Sequence, residues 1–127
     1  MPYEYKVYHE HRLIHERGVG TVTDDDFLRS FAEPPTDPDI DLSYDVVSDY
    51  RHCDSEITID GIRRAADLYA LHYADLPLGK WAVISPDERG RLRAHFFACF
   101  ADNPNIRCFR EIREALTWLD LPDILIE

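Results

Sequence analysis

The first part of the chain alternates between apolar and polar positions with the two-residue period of a β-strand. Tyr5 and Val7 are separated by a lysine, and a second apolar segment begins at Leu13. This pattern predicts two strands within residues 3–23, joined by a turn near His11. The chain is therefore expected to begin with a β-hairpin.

Four later segments have the 3.6-residue apolar period of amphipathic helices, the last over residues 111–119. Thr23 and Thr58 are suitable N-cap residues, and Pro86 favours a first helical position. Acidic residues follow these starts and stabilise the first turn. The residues predicted to face inward are, helix by helix, Phe27, Leu28, Phe31 and Ala32; Ile62, Ala66, Tyr69, Tyr73 and Leu76; Leu92, Phe96, Cys99 and Phe100; and Ile112, Ala115, Leu116 and Leu119.

Apolar strands separate these helices. Residues 42–50 are predicted to form a strand centred on Val46 and Val47, and Ile106–Phe109 a short one. Trp81–Ile84 is continuously apolar, which is typical of a parallel strand that helices cover on both faces. The alternation predicts an α/β fold with four helices and a mixed, mostly parallel sheet of about five strands, the hairpin adding an antiparallel edge.

Composition restricts the possible functions. The 127 residues are expected to form one domain, 1–127, because domains typically have about 100–200 residues. A formal net charge of −11 argues against nucleic acid and anionic membrane surfaces as partners, since both attract basic proteins. No apolar run reaches the roughly 18 residues of a membrane span. The start of the chain lacks signal-peptide features, and Cys53, Cys99 and Cys108 contain no CxxC pair, so the expected location is the reducing cytoplasm.

Several short strings follow the order of the predicted elements. Residues 80–85 read KWAVIS, residues 105–112 read NIRCFREI, and residues 114–119 read EALTWL. GTVT at 20–23 and VSDYR at 47–51 precede them. Together these strings resemble the SpoIIAA-like family of STAS-type domains, many of whose members end in a strand closing on Phe and a helix containing Glu-Ala-x-x-Trp-Leu.

The resemblance implies a (βα) superhelical fold that anti-sigma-factor antagonists share with CRAL-TRIO lipid-binding domains. It implies no single activity, because one fold supports many functions. The antagonists carry a phosphorylatable serine in an Asp-Ser-Ser-Gly motif at the start of the second helix. In the corresponding region Asp54 and Ser55 match, whereas Glu56 and Ile57 do not. Glu56 would repel a phosphate on its neighbour, so phosphorylation of Ser55 is left open.

Topology indicates where binding residues are expected. In open α/β sheets, ligands and partners meet the carboxyl ends of the strands. The alternative is that three of the polar residues expected there, Thr23, Ser55 and Ser85, only cap or precede helices. The binding-surface candidates are Thr23, His52, Asp54, Ser55, Ser85 and Arg110.

No catalytic residue, metal site or cofactor is predicted. His9, His11 and His15 share strand parity, but a turn near His11 interrupts it. His52 and Cys53 are neighbours on an extended segment, so their side chains point to opposite faces and the imidazole is badly placed to activate the thiol.

The leading hypothesis is a non-catalytic regulatory or protein-interaction domain with another protein as its partner. The alternative is a binder of a lipid or other apolar small molecule, as the CRAL-TRIO relatives imply. A third and weaker hypothesis is an enzyme that uses residues 52–55. Five aromatic residues would line an apolar pocket between helix and sheet: Phe96, Phe97, Phe100, Tyr69 and Tyr73. In the simpler interpretation, these residues fill the core.

The end of the chain suggests self-association. Ile124, Leu125 and Ile126 form an apolar segment that a monomer exposes unless the segment folds back. The sequence therefore predicts a homodimer.

Overall fold

A mostly parallel sheet with helices on both faces forms the framework of the chain, and the computed structural model describes residues 2–32 and 35–125. The strands are β1 (Tyr3–Tyr8), β2 (Leu13–Gly18), β3 (Gly20–Val22), β4 (Asp45–Asp49), β5 (Cys53–Ser55), β6 (Trp81–Ile84) and β7 (Ile106–Phe109). The helices are α1 (Asp24–Ala32), α2 (Ile59–Tyr73), α3 (Glu88–Ala101) and α4 (Ile112–Trp118), and a short 3-10 helix (His9–His11) joins β1 to β2.

Five strands form the main sheet in the order β1-β2-β4-β6-β7. β1 is antiparallel to β2, and every other neighbouring pair is parallel. The coarse prediction is confirmed: the fold is α/β, with an N-terminal antiparallel hairpin on a mostly parallel sheet and four α-helices in the described residues. The parallel strands lie side by side in chain order, so each crossover connects neighbours.

A second, two-stranded parallel sheet was not predicted. It pairs β3 with β5, and its register places Thr21 opposite Asp54 and Val22 opposite Ser55. Gly20 has φ +68°, a left-handed conformation that lets the chain leave β2 and enter β3. β5 lies within the polar segment that connects β4 to α2. Strands of three residues carry too little periodicity to be recognised.

The main sheet separates two apolar clusters. Helices α1, α2 and α3 cover one face, and α4 with the end of the chain covers the other. Buried residues of the first cluster include Val22, Phe27, Phe31, Ile57, Ile62, Ala65, Ala66, Tyr69, Tyr73, Phe97 and Ile106. Those of the second are Leu13, Val47, Ala82, Ile84, Ile112, Ala115, Leu116 and Leu119.

Capping contacts place the starts of α1 and α2 together. Thr23 Oγ1 accepts from the Asp26 amide at 3.3 Å, and Thr58 Oγ1 accepts from the Gly61 amide at 3.0 Å. The Asp24 carboxylate also accepts from the Thr58 amide at 2.7 Å. A Cβ on Gly61 would lie 2.1 Å from Asp24 Oδ1, so glycine is what allows this close approach. Both predicted N-caps are confirmed.

The predicted orientation of α3 is wrong. Its buried residues are Ala94 and Phe97, whereas Leu92, Cys99 and Phe100 are exposed. The predicted start is also two residues early, because Asp87 is the N-cap and Pro86 lies before the helix. Small residues let α3 pack closely: a Cβ on Gly90 would lie 1.9 Å from Ser85 Oγ. Leu92 and Phe100 are left on the outer side.

Candidate functional site

The predicted binding residues lie around the carboxyl ends of the strands but do not form one cluster. Ser55 and Ser85 line the same cavity of about 100 Å³, next to Arg93 and the apolar ring of Phe97. Ser85 is buried, and its Oγ donates to the Asp87 carbonyl at 3.3 Å. These two serines are therefore the pair that the fold brings together.

The other four candidates are dispersed. Thr23 Oγ1 donates to the Asp26 carboxylate at 2.9 Å as part of the α1 cap. His52 and Asp54 have exposed side chains on either side of Cys53. Arg110 is exposed and lines an open groove of about 400 Å³ between the ends of β4 and β7.

A buried ionic cluster at the end of β4 was not predicted from the sequence. Asp49 is 1% exposed, and its carboxylate accepts from Arg51 Nε at 3.0 Å, Arg51 Nη2 at 2.8 Å and the Arg51 amide at 3.1 Å. His15 Nε2 lies 3.0 Å from Asp49 Oδ2 across the β2–β4 pair. Burial opposes the charged form, but these hydrogen bonds outweigh it and hold the pKa of Asp49 well below its usual range.

The same cluster holds the end of the chain in place. Arg51 Nη2 also donates to the Leu125 carbonyl at 2.9 Å. Ile124 and Leu125 are half-buried and pack against the second apolar cluster. These two residues therefore fold back, whereas Ile126, on which the dimer prediction also depends, lies outside the described residues. The homodimer stays a prediction.

Acidification is expected to remove the stabilisation that Asp49 provides. Its folded pKa lies below the unfolded value, so the stabilisation is present above about pH 4 and is lost as the pH falls through the folded pKa. The difference in free energy of unfolding between wild type and Asp49→Asn should therefore shrink from about pH 6 to about pH 3. Urea titrations across this range measure it, and a difference that stays constant would contradict the assignment.

An apolar stripe lies on the outer side of the two long helices. Leu92 is 50% exposed, Phe100 40% and Ile59 47%. Phe96 stacks on Phe100 with ring centroids 6.2 Å apart. Arg63 lies over the Phe100 ring at 5.2 Å, and Arg89 and Arg93 line a groove of about 340 Å³ with Ile59 and Leu92. The α2–α3 face denotes this surface: Ile59, Arg63, Arg89, Leu92, Arg93, Phe96 and Phe100.

The aromatic residues proposed for an apolar pocket divide between core and surface. Tyr69, Tyr73 and Phe97 are buried, Phe96 is half-buried and Phe100 is exposed. The two cavities that Phe97, Tyr69 and Tyr73 line measure about 100 and 170 Å³. Pockets for whole small molecules usually start at about 300 Å³, so neither of these two cavities reaches the usual size, and the lipid-binding alternative stays a prediction.

Residues 2–32 and 35–125 contain neither a candidate metal site nor a candidate membrane-spanning helix. No group of three or more His, Cys, Asp or Glu side chains there is arranged to hold a metal ion. His9 contacts Asp39 and Tyr44, whereas His15 contacts Asp49. In the same residues, no helix combines the length and apolar character that crossing a membrane requires.

No family model matches the chain. A search of curated proteins also finds no match. Function has to be inferred from the sequence and the geometry of these surfaces.

Proposed function

We propose that the chain is a non-catalytic protein-interaction domain of the SpoIIAA-like type and that its partner binds the α2–α3 face. The observation that carries this proposal is the exposed apolar stripe of α3. Leu92, Phe96 and Phe100 are spaced by four residues and lie along one side of the helix. Contiguous exposed apolar side chains are typical of interaction sites rather than of isolated surfaces.

The charges around the stripe favour an acidic partner. The chain has a net charge of −11, yet this face carries three arginines. Arg89 and Arg93 form no ion pair with any described residue. A partner segment with apolar residues flanked by carboxylates would complement both features. Two copies of the face related by a twofold axis would bring like charges together, so a second copy of this chain fits less well.

The topology supports the family resemblance behind the proposal. Four parallel strands in chain order, linked by helices, are what a (βα) superhelix requires. Residues 54–57, which correspond to the phosphorylated motif of the anti-sigma-factor antagonists, end beside the α2–α3 face. Glu56 and Ile57 line the same groove as Leu92. The proposed surface therefore adjoins the region that such antagonists use for regulation.

Site-specific photo-crosslinking in the native cell tests the proposal. A photo-crosslinking phenylalanine analogue placed at Leu92 should capture one acidic protein. The same analogue at Leu71, which is 74% exposed on α2, is the matched control and should not capture it. The captured protein is then purified and its binding to the chain is measured directly.

Charge-reversal variants distinguish specific binding of the partner from nonspecific association. Arg89→Glu should weaken binding of the purified partner by about 10-fold, whereas Arg64→Glu, also exposed but with no place in the α2–α3 face, should change it less than about twofold. Capture of a second copy of this chain, equal capture at both positions, or no capture at Leu92 would overturn the proposal.

A further inference from the structure

A cavity of about 170 Å³ lies between the main sheet and helices α1 and α2, beneath residues 35–42. Its walls are largely aromatic. Phe31 and Trp81 have ring centroids 5.9 Å apart, Tyr69 and Trp81 6.1 Å, and Tyr69 stacks on Tyr73 at 5.6 Å. The cavity therefore presents several π faces within a small volume.

One carboxylate reaches into this aromatic cavity. Glu16 of β2 is half-buried and lines it, and its Oε1 accepts from Ser48 Oγ at 3.1 Å. Ser48 in turn accepts from Trp81 Nε1 at 2.8 Å, which fixes the orientation of the serine. Glu16 Oε2 accepts no hydrogen bond from any described residue. Every fully buried side-chain oxygen in the described residues has a hydrogen-bond partner. Glu16 Oε2 has no such partner, so it is not fully buried and is open to the cavity.

No positive side chain balances Glu16 inside the cavity. The described residues that line it include no lysine, arginine or histidine. His15 lies on the same strand, but it points to the opposite face of the sheet, where it contacts Asp49. A buried carboxylate without a cationic partner is costly, and a bound cation would offset that cost.

We propose that this cavity binds a small organic ammonium ion, with its charge beside Glu16 and its alkyl groups against the aromatic walls. Aromatic faces attract such cations through their quadrupoles, and the attraction strengthens when water is excluded. The volume is suitable, because a cavity of about 150 Å³ holds one benzene molecule. Quaternary and primary ammonium ions of that size fit the same chemistry.

Other ligand classes fit the cavity less well. An anion would be repelled by Glu16, and a neutral apolar molecule would leave the carboxylate desolvated and unpaired. A calcium ion takes six or more oxygen ligands and is usually held by several carboxylates, whereas Glu16 is the one carboxylate among the described residues that line the cavity.

Binding should depend on pH through Glu16. Burial raises the pKa of Glu16, so its charged form, which attracts the ligand, is populated only as the pH rises. Burial also raises the pKa of Tyr3, Tyr50 and Tyr73, which stay neutral around it. Several titratable groups face or adjoin Glu16. They are Tyr3 and Tyr5 of β1, His15 of β2, Tyr44 before β4, Tyr50 after β4, Tyr69 and Tyr73 of α2, and Asp37, which accepts from Tyr5.

The test compares choline with its neutral isostere, 3,3-dimethylbutan-1-ol, by calorimetry and by NMR of the Trp81 indole N–H. Choline should bind the wild-type chain at least about 10-fold more tightly than the alcohol and shift the Trp81 signal. Glu16→Gln keeps an acceptor for Ser48 and should remove this preference. Glu4→Gln, an exposed glutamate of β1, is the matched control and should retain it.

A pH titration of the wild-type chain makes the test independent of whether Glu16→Gln folds. Choline affinity should fall on acidification, while affinity for the alcohol should stay constant. Equal binding of choline and alcohol, no choline binding at about 10 mM, or an unchanged preference in Glu16→Gln would overturn the proposal. None of these outcomes bears on the α2–α3 face, which lies on the outer side of the helices.

Discussion

Replacing Asp49 by alanine is expected to lower the free energy of unfolding by about 3–5 kcal/mol, the usual loss when one partner of a buried ion pair is removed. The Asp49 carboxylate binds Arg51 through both of its oxygens and contacts His15 across β2 and β4. Removing it takes away the carboxylate that two nitrogens of the mostly buried Arg51 guanidinium contact. It also loosens the contact between Arg51 and the Leu125 carbonyl. Urea unfolding at neutral pH measures the change.

Asp123→Ala is the matched control for this prediction. Asp123 is exposed and lies 3.8 Å from Arg113, so its loss should change the free energy of unfolding by less than about 0.5 kcal/mol. A loss below about 1 kcal/mol for Asp49→Ala would show that the cluster contributes little to stability. Equal losses for the two variants would contradict the account in the same way.

The second large effect is expected in the aromatic cluster. Phe31→Ala should destabilise the fold by about 3–5 kcal/mol, because it removes a buried ring and leaves a cavity. The Phe31 ring centroid lies 5.1 Å from that of Phe27, 5.3 Å from Phe97 and 5.9 Å from Trp81. Phe31 therefore joins α1 to α3 and to the sheet. Thermal and urea unfolding measure the loss.

Two companion variants calibrate the effect. Phe31→Leu keeps most of the apolar volume and should lose less than half as much stability as Phe31→Ala. Leu71→Ala removes a side chain that is 74% exposed and should change stability by less than about 0.5 kcal/mol. A similar loss in Phe31→Leu and Phe31→Ala would indicate that ring geometry, rather than buried volume, determines the stability of this cluster.

Elements with strong local signals could be predicted from the sequence. The bounds predicted for β6 and β7 agree with the structure residue for residue. Their short apolar runs lie between helices with clear starts, so local pattern and fold agree. All four residues predicted to face inward on α4 are buried. The hairpin followed from strand alternation on either side of a turn.

The outer side of α3 could not be predicted from periodicity. Leu92, Phe96 and Phe100 repeat every four residues, a pattern that is the same whether a helix faces its own core or a partner. The side that packs inward instead carries Gly90, Ala94 and Phe97. Close packing between helices favours small residues, and their low hydrophobicity weakens the signal that marks them as inward.

The polar sites depend on long-range register, which a single sequence does not reveal. Glu16 and Ser48 meet because they are direct partners in the β2–β4 pair. His15 and Asp49 meet diagonally on the opposite face of the same pair. Before the pairing is known, each is a polar residue within or beside an apolar strand. The signal available in the sequence was an acidic residue, Asp49, inside the strand predicted for residues 42–50.

The most direct test of the α2–α3 face as a partner-binding surface is isothermal titration calorimetry with the protein captured at Leu92. Three chains are compared: wild type, the double variant Leu92→Asp/Phe100→Asp, and Leu71→Asp. The double variant should lose at least about 30-fold in affinity, as expected for residues at the centre of an interface, and Leu71→Asp should stay within about twofold of wild type. Equal affinities for all three chains, or equal losses in both variants, would contradict the proposed function.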